Sequence, residues 1–128
     1  MGQISIVNYA TPAEKAKGLQ HMPVIPPATL FVFSDILPGT TIHSKNVREP
    51  FDLAFLSATG EVLDLVTIVP QKAVRIAPPR SYFAVEAKEG ELSRLGFEVG
   101  RMKRLDMLLP PMARPADLRG DEDQEETT

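Results

Sequence analysis

KNVREPFDLAFLSATGEVLDLVTIV, residues 45–69, is the stretch that decides how the rest of the chain is read. Side chains of an extended strand alternate between two faces. In Phe51–Ser57 this puts Phe51, Leu53 and Phe55 on one side and Asp52, Ala54 and Leu56 on the other, so both sides are largely apolar. Ala58, Thr59 and Gly60 follow, where glycine supplies the positive φ that a tight turn requires. Residues 62–69 then repeat the pattern, with Leu63, Leu65 and Val69 opposite Val62, Val66 and Ile68. A hairpin that is apolar on both faces belongs in the middle of a core, away from any edge.

Upstream of the hairpin, residues 3–8 read as a first strand, with Ile4 and Ile6 on one face and Val7 on the other. Thr11 then offers a side-chain cap, Pro12 a preset first helical position and Glu14 the return bond of a capping box. The helix they start is short, because Gly18 falls near its end and Pro23, Pro26 and Pro27 forbid continuation. Residues 19–28 are therefore expected to form an ordered loop, followed by a strand at Thr29–Phe33 (TLFVF). Residues 34–50 are polar and broken by Pro38 and Gly39, with residues 40–44 as an extended piece. Downstream, residues 90–96 predict one or two helical turns with Leu92 and Leu95 inward and Gly96 as terminator. Residues 97–105 read as a last strand bearing Arg101, Lys103 and Arg104.

Composition narrows the class. The chain has 128 residues, of which 43% are hydrophobic, enough for one core, and it has no cysteine for a disulfide, thiolate metal site or thiol nucleophile. The net charge of -3 hides an asymmetry: Asp121, Glu122, Asp123, Glu125 and Glu126 lie in the last eight residues. Residues 1–120 carry 14 Lys+Arg against 12 Asp+Glu, a balance of +2. A near-neutral domain with an acidic tail lacks the concentrated basic face of a duplex nucleic-acid binder. No apolar run reaches the length of a membrane span, and the start carries no basic region followed by an apolar signal run. The expected location is the cytoplasm or a macromolecular assembly, a virion included. Residues 1–106 read as a single β-rich domain, and residues 107–128 as a Pro-containing apolar segment with an acidic tail.

One order of features is specific. A first strand, a helix ending in Gly18-Leu19-Gln20, LFVF at residues 30–33, Lys45-Asn46, PFDLAFL at residues 50–56 and a glycine turn at Gly60 resemble the domain-of-unknown-function 192 family. YFAVEA at residues 82–87 and LGFEVG at residues 95–100 are similar to that family's closing strand, short helix and last strand. The resemblance runs from about Ile4 to Arg104. It implies a small, mostly antiparallel β domain, and it comes with no settled biochemical activity. Where the family has Phe-Trp-Met before its Lys-Asn pair, this chain has Ile42, His43 and Ser44, and the loop after the hairpin is shortened to residues 70–79. The fold expected is mostly β (α+β): a compact antiparallel β-barrel-like or two-sheet domain with one or two short helices.

His43, Lys45, Asn46, Arg48 and Asp52 form the candidate ligand site, five functional groups on a loop that enters a buried strand. The competing reading is that Asn46 and Asp52 shape the turn before Pro50 through side-chain to backbone hydrogen bonds. Asp52, once buried, requires a partner such as Lys45 or Arg48. His21 and His43 have no metal-ligand spacing, and no nucleophile elbow or phosphate loop is present, so no metal, cofactor or catalytic residue is assigned. Asp64, in the second core strand, reads as structural. Arg101, Lys103 and Arg104 read as a solvated edge that discourages strand pairing, or as a receptor for an acidic group. Met107, Leu108, Leu109 and Met112 surround a Pro-Pro pair that cannot join a sheet ladder and must lie on something, the chain's own domain or a neighbouring subunit. Three functions follow, in order of preference: a non-enzymatic interaction or structural subunit, with a protein partner or a second copy and a virus particle as one such assembly; a small-ligand-binding domain at the loop from His43 to Asp52; and an enzyme using Asp52 with Lys45 as acid and base.

Overall fold

The structure is a computed structural model that describes residues 4–70 and 74–103. Five strands, β1 (Ser5–Tyr9), β2 (Thr29–Phe33), β4 (Phe51–Ser57), β5 (Val62–Ile68) and β7 (Ser81–Lys88), make one sheet in the order β1-β2-β7-β4-β5. β1 and β2 run parallel, which needs a crossover; α1 (Pro12–Lys17) and the proline-bearing loop behind it provide one. All other neighbours in this sheet are antiparallel. A second, two-stranded sheet pairs β3 (Thr41–His43) with β6 (Val74–Ile76), and α2 (Glu91–Arg94) is the second short helix. The result is the expected mostly β, two-sheet domain. No barrel closes among the described residues, because β1 and β5 remain the two edges of the larger sheet.

The sheet has apolar groups on both faces, as the alternation in β4 demands. One face carries Leu30, Val32, Ala54, Leu56, Phe83, Val85 and Ala87, covered by Leu92 of α2 and by Phe97. The other carries Phe31, Phe33, Phe51, Leu53, Phe55 and Ala84, covered by Leu19 and Ile25 of the loop after α1 and by Ile36, Val47 and Ala77. The expectation that the whole hairpin lies centrally is corrected. β4 is buried along its length, but β5 is an edge strand with mostly half-buried residues, since only β4 flanks it. A β-bulge also changes its phase. Phe55 opposes Asp64 while Leu56 opposes Val62, so Val62 turns to the face of Ala54 and Leu65, away from Val66 and Ile68. Val69 lies beyond the strand and is exposed.

α1 starts as its sequence dictates. The Glu14 amide donates to Thr11 Oγ1 at 3.1 Å and the Thr11 amide to Glu14 Oε1 at 3.0 Å, the reciprocal capping box. The loop behind it is held at two carboxylates: Ile25 N donates to Glu49 Oε1 at 2.8 Å and Ala28 N to Glu91 Oε1 at 3.1 Å. Residues 70–79 are not a bare loop, since β6 forms there against β3. The last strand expected at residues 97–105 is likewise corrected. Gly96 and Gly100 take φ of 86° and 90°, which turns the chain, and the described part makes a single antiparallel bridge, Glu61 with Met102. There the Lys103 amide donates to the Gly60 carbonyl at 2.7 Å, and a Cβ at position 60, where φ is 99°, would collide with the Lys103 carbonyl. Arg104 and Leu105 lie outside the described residues, as do Met107, Leu108, Leu109, Met112 and the acidic tail.

Candidate functional site

Two acids are buried in the larger sheet, Asp52 on β4 and Glu86 on β7, each 4% exposed. The strands are neighbours, with Asp52 opposite Ala87 and Leu53 opposite Glu86, so the two side chains leave opposite faces. Asp52 is fully engaged. Its Oδ1 accepts from Thr67 Oγ1 at 3.0 Å, and its Oδ2 accepts from the Gly90 and Leu92 amides at 2.9 and 3.2 Å. Gly90, the residue before α2, has no side chain of its own to cap the helix, and Asp52 supplies that cap from β4 beneath it. The partner expected at Lys45 or Arg48 is therefore replaced by backbone amides and a threonine. Both basic side chains are exposed, with neither hydrogen-bonded to Asp52.

Glu86 is different. No described donor bonds its carboxyl, and burial alone pushes it up to about 8. It forms the floor of a pocket of about 150 Å³ between the end of α1, β3 and the larger sheet. Phe33, Phe51, Val47, Ile42 and Leu19 make its apolar walls, and Lys15, Lys17, Gln20 and His43 bring its polar groups. Gly18, at the C-terminal end of α1 with φ of 50°, lies over the carboxyl: a Cβ there would be 3.9 Å from Glu86 Oε1 and 3.7 Å from Phe33 Cζ. Tyr9 packs edge-on against Phe33 with ring centroids 5.0 Å apart. Its phenol is pushed up by burial first and by the Glu86 charge second.

Of the five residues read from the sequence as a site, only His43 lines this pocket. Its Nδ1 accepts from the Lys45 amide at 3.2 Å. Asn46 is a staple: in a left-handed conformation with φ of 60°, it donates Nδ2 to Gln20 Oε1 at 3.0 Å and accepts from the His21 amide at 2.8 Å through its carbonyl. It thereby ties the loop after α1 to the loop before β4, next to the pocket mouth. Lys45 and Arg48 point to solvent, and Asp52 serves the other face. Glu86, Lys15, Lys17 and Gln20 were not singled out by sequence reasoning. The signal for Glu86 was a single acid in YFAVEA, sharing its face with Ala84.

Asp64, read as structural, pairs with Arg75 of β6 through two bonds of 2.7 and 2.9 Å, which join the two sheets. The Arg75 bonds hold its carboxyl below the usual carboxylate range. Lys103 donates Nζ to the Leu95 carbonyl at 2.7 Å and lies 5.2 Å from the Phe97 ring centroid, so it closes the end of the α2 face. Among the described residues no group of three His, Asp or Glu could hold a metal ion, and no helix is long and apolar enough to cross a membrane.

The model of the domain-of-unknown-function 192 family, described as uncharacterised ACR, matches residues 2–105. The chain belongs to the DUF192 family. Its fold recurs in a protein of unknown function from Novosphingobium aromaticivorans DSM 12444, with 24% identity over 77% of this chain and 73% of the other and a TM-score of 0.69. It recurs also in a candidate transcription regulator from Sinorhizobium meliloti 1021, with 20% identity over 77% of this chain and 79% of the other and a TM-score of 0.67. At these identities the likeness concerns the fold. No curated protein matches the chain. The match at residues 2–105 takes in both the Glu86 pocket and the Asp52 cap.

Proposed function

We propose that this DUF192 domain is a small-ligand-binding module whose site is the pocket floored by Glu86. The observation that carries this reading is the carboxyl itself: it is buried, faces a pocket and has no described donor. An unpaired polar group out of water destabilises a fold by roughly 1–3 kcal/mol. A bound partner removes that penalty, and the expense of keeping the acid is then explained by binding. His43 remains a ligand-binding residue in this proposal. Asn46 supports the surrounding loop and Asp52 the opposite face, while Lys45 and Arg48 face solvent.

The test is a titration of the isotopically labelled full chain with small amines, carboxylic acids, amides and alcohols, followed by NMR. Saturable shifts centred on Gly18, Leu19, Gln20 and His43 are expected. Saturable binding that maps elsewhere, or none across the set, overturns the reading.

A second reading is an interaction or structural subunit, with a protein partner or a second copy and a virus particle as one such assembly. It is supported by the exposure of Val74 and Ile76 on β6 and of Leu37 nearby, at 59%, 61% and 71%. Met107, Leu108, Leu109 and Met112 remain its proposed docking segment. Light scattering on the full chain and on a chain ending after Asp106 tests it: an oligomer that becomes monomeric on truncation is expected, and monomers in both cases remove it.

A further inference from the structure

The chemistry around Glu86 narrows the ligand class, given the binding reading above. Two oxygens flank Gly18 in the pocket lining. The position a Cβ of Gly18 would occupy is 3.9 Å from Glu86 Oε1 and 3.9 Å from the Lys15 carbonyl oxygen. Both are acceptors. The Lys15 carbonyl also belongs to the last turn of α1, where backbone carbonyls give the helix end a partial negative charge. That end of the pocket therefore calls for a group with several N–H donors and a positive charge.

The other polar groups have the opposite sign. Lys15 and Lys17 lie in the last turn of α1 and line the same pocket, Lys15 half-buried and Lys17 exposed. A purely cationic ligand would meet them as like charges at the mouth, whereas an anionic group there gains a charge-assisted pair. Size sets the remaining limit. About 150 Å³ is the liquid volume of about five water molecules, well below the roughly 300 Å³ at which drug-sized sites begin. The apolar walls, Phe33, Phe51 and Val47, leave room for a short aliphatic body between the charged ends.

We propose that the pocket takes a small zwitterion of amino-acid type, its ammonium inward on the Glu86 carboxylate and the Lys15 carbonyl, its carboxylate outward at the Lys15 and Lys17 ammonium groups. The inward ammonium is the counter-charge that the buried carboxyl lacks, so binding and ionisation of Glu86 are coupled. Gly18 matters because a side chain there would stand between the ligand and both inner acceptors.

Alanine, ethylamine and propionate separate the two ends of such a ligand. Each is titrated into the labelled full chain, its Glu86→Gln variant and its Lys17→Met variant, with the amides of Gly18, Leu19 and His43 as readout. Alanine is expected to bind at least about tenfold more tightly than either half-ligand. Glu86→Gln, which keeps the shape of the side chain, is expected to weaken alanine and ethylamine by about tenfold and to leave propionate unchanged. Lys17→Met, at an exposed position, is expected to weaken alanine and propionate and spare ethylamine. Propionate binding as tightly as alanine at these amides, or alanine binding that survives Glu86→Gln, overturns the zwitterion assignment and leaves the pocket standing. A lack of any shift at these amides with all three probes overturns both.

Discussion

Asp52 and Glu86 are neighbours across the β4–β7 ladder and equally buried, yet the fold treats them in opposite ways. On the α2 face, Asp52 meets three donors and turns a sheet residue into a helix cap. On the α1 face, Glu86 meets none among the described residues and stands at the bottom of a pocket. A buried acid with full partners is architecture, and removing it harms the fold. A buried acid without partners is a local conflict, and such conflicts concentrate where a protein binds something. Replacing the two acids should therefore shift stability in opposite directions.

The largest effect is expected from Asp52→Ala. It leaves the Gly90 and Leu92 amides and the Thr67 hydroxyl without their acceptor, and urea unfolding should show a loss of about 3 kcal/mol. A loss under about 1 kcal/mol would dissolve the contrast between the faces. Glu86→Leu should move the other way. Exchanging an unpaired acid for an apolar side chain of similar reach is expected to stabilise the chain by about 1–2 kcal/mol in the same assay, with pocket binding lost. Destabilisation would mean that Glu86 has a structural partner.

Titration sharpens the comparison further. The Glu86 carboxyl gives up its proton at its ordinary 4.5 in the unfolded chain but only at about 8 in the folded one. Between those values the folded state holds the extra proton, so this group makes stability fall as pH rises through that window and level off above it. Lys15, Lys17 and His43 line the same pocket, and Tyr9 packs on its Phe33 wall, in wild type and variant alike. Unfolding midpoints at several pH values should show this fall, and Glu86→Gln should remove it. Asp64 gives the reverse sign: its carboxyl is held low by Arg75, so its contribution is fully present above the ordinary carboxylate range and is lost as pH falls from there through its lowered folded value. The smallest effect belongs to Arg75→Ala. The Asp64–Arg75 pair joins the two sheets, but the arginine side chain is 43% exposed, and a loss below about 1 kcal/mol is expected from the same unfolding curves.

Most of the strand content was legible. TLFVF occupies β2 as read, β4 alternates its side chains as read, and the capping box of Thr11 and Glu14 forms as read, because each depends on residues a few positions apart. The candidate site was far less legible. His43 alone of the five candidate residues lines the pocket, since a loop rich in polar groups signals exposure more strongly than it signals convergence. Glu86 stood in plain view within YFAVEA, but its meaning depends on which groups pack over it. β6 was missed because a three-residue strand needs its partner β3 to exist at all.

The sequence by itself determined the extended runs of β2 and β4, the alternation of side chains along β4 and the start of α1, because steric alternation and capping are local. Tertiary structure decided that β5 is an edge, that β1 runs parallel to β2, and that Asp52 finds its donors in amides 38 and 40 residues away while Glu86 finds none among the described residues. The physical reason is distance along the chain. Desolvation and hydrogen-bond satisfaction are set by whatever packs over a group, and for both acids that packing comes from segments far away in the sequence.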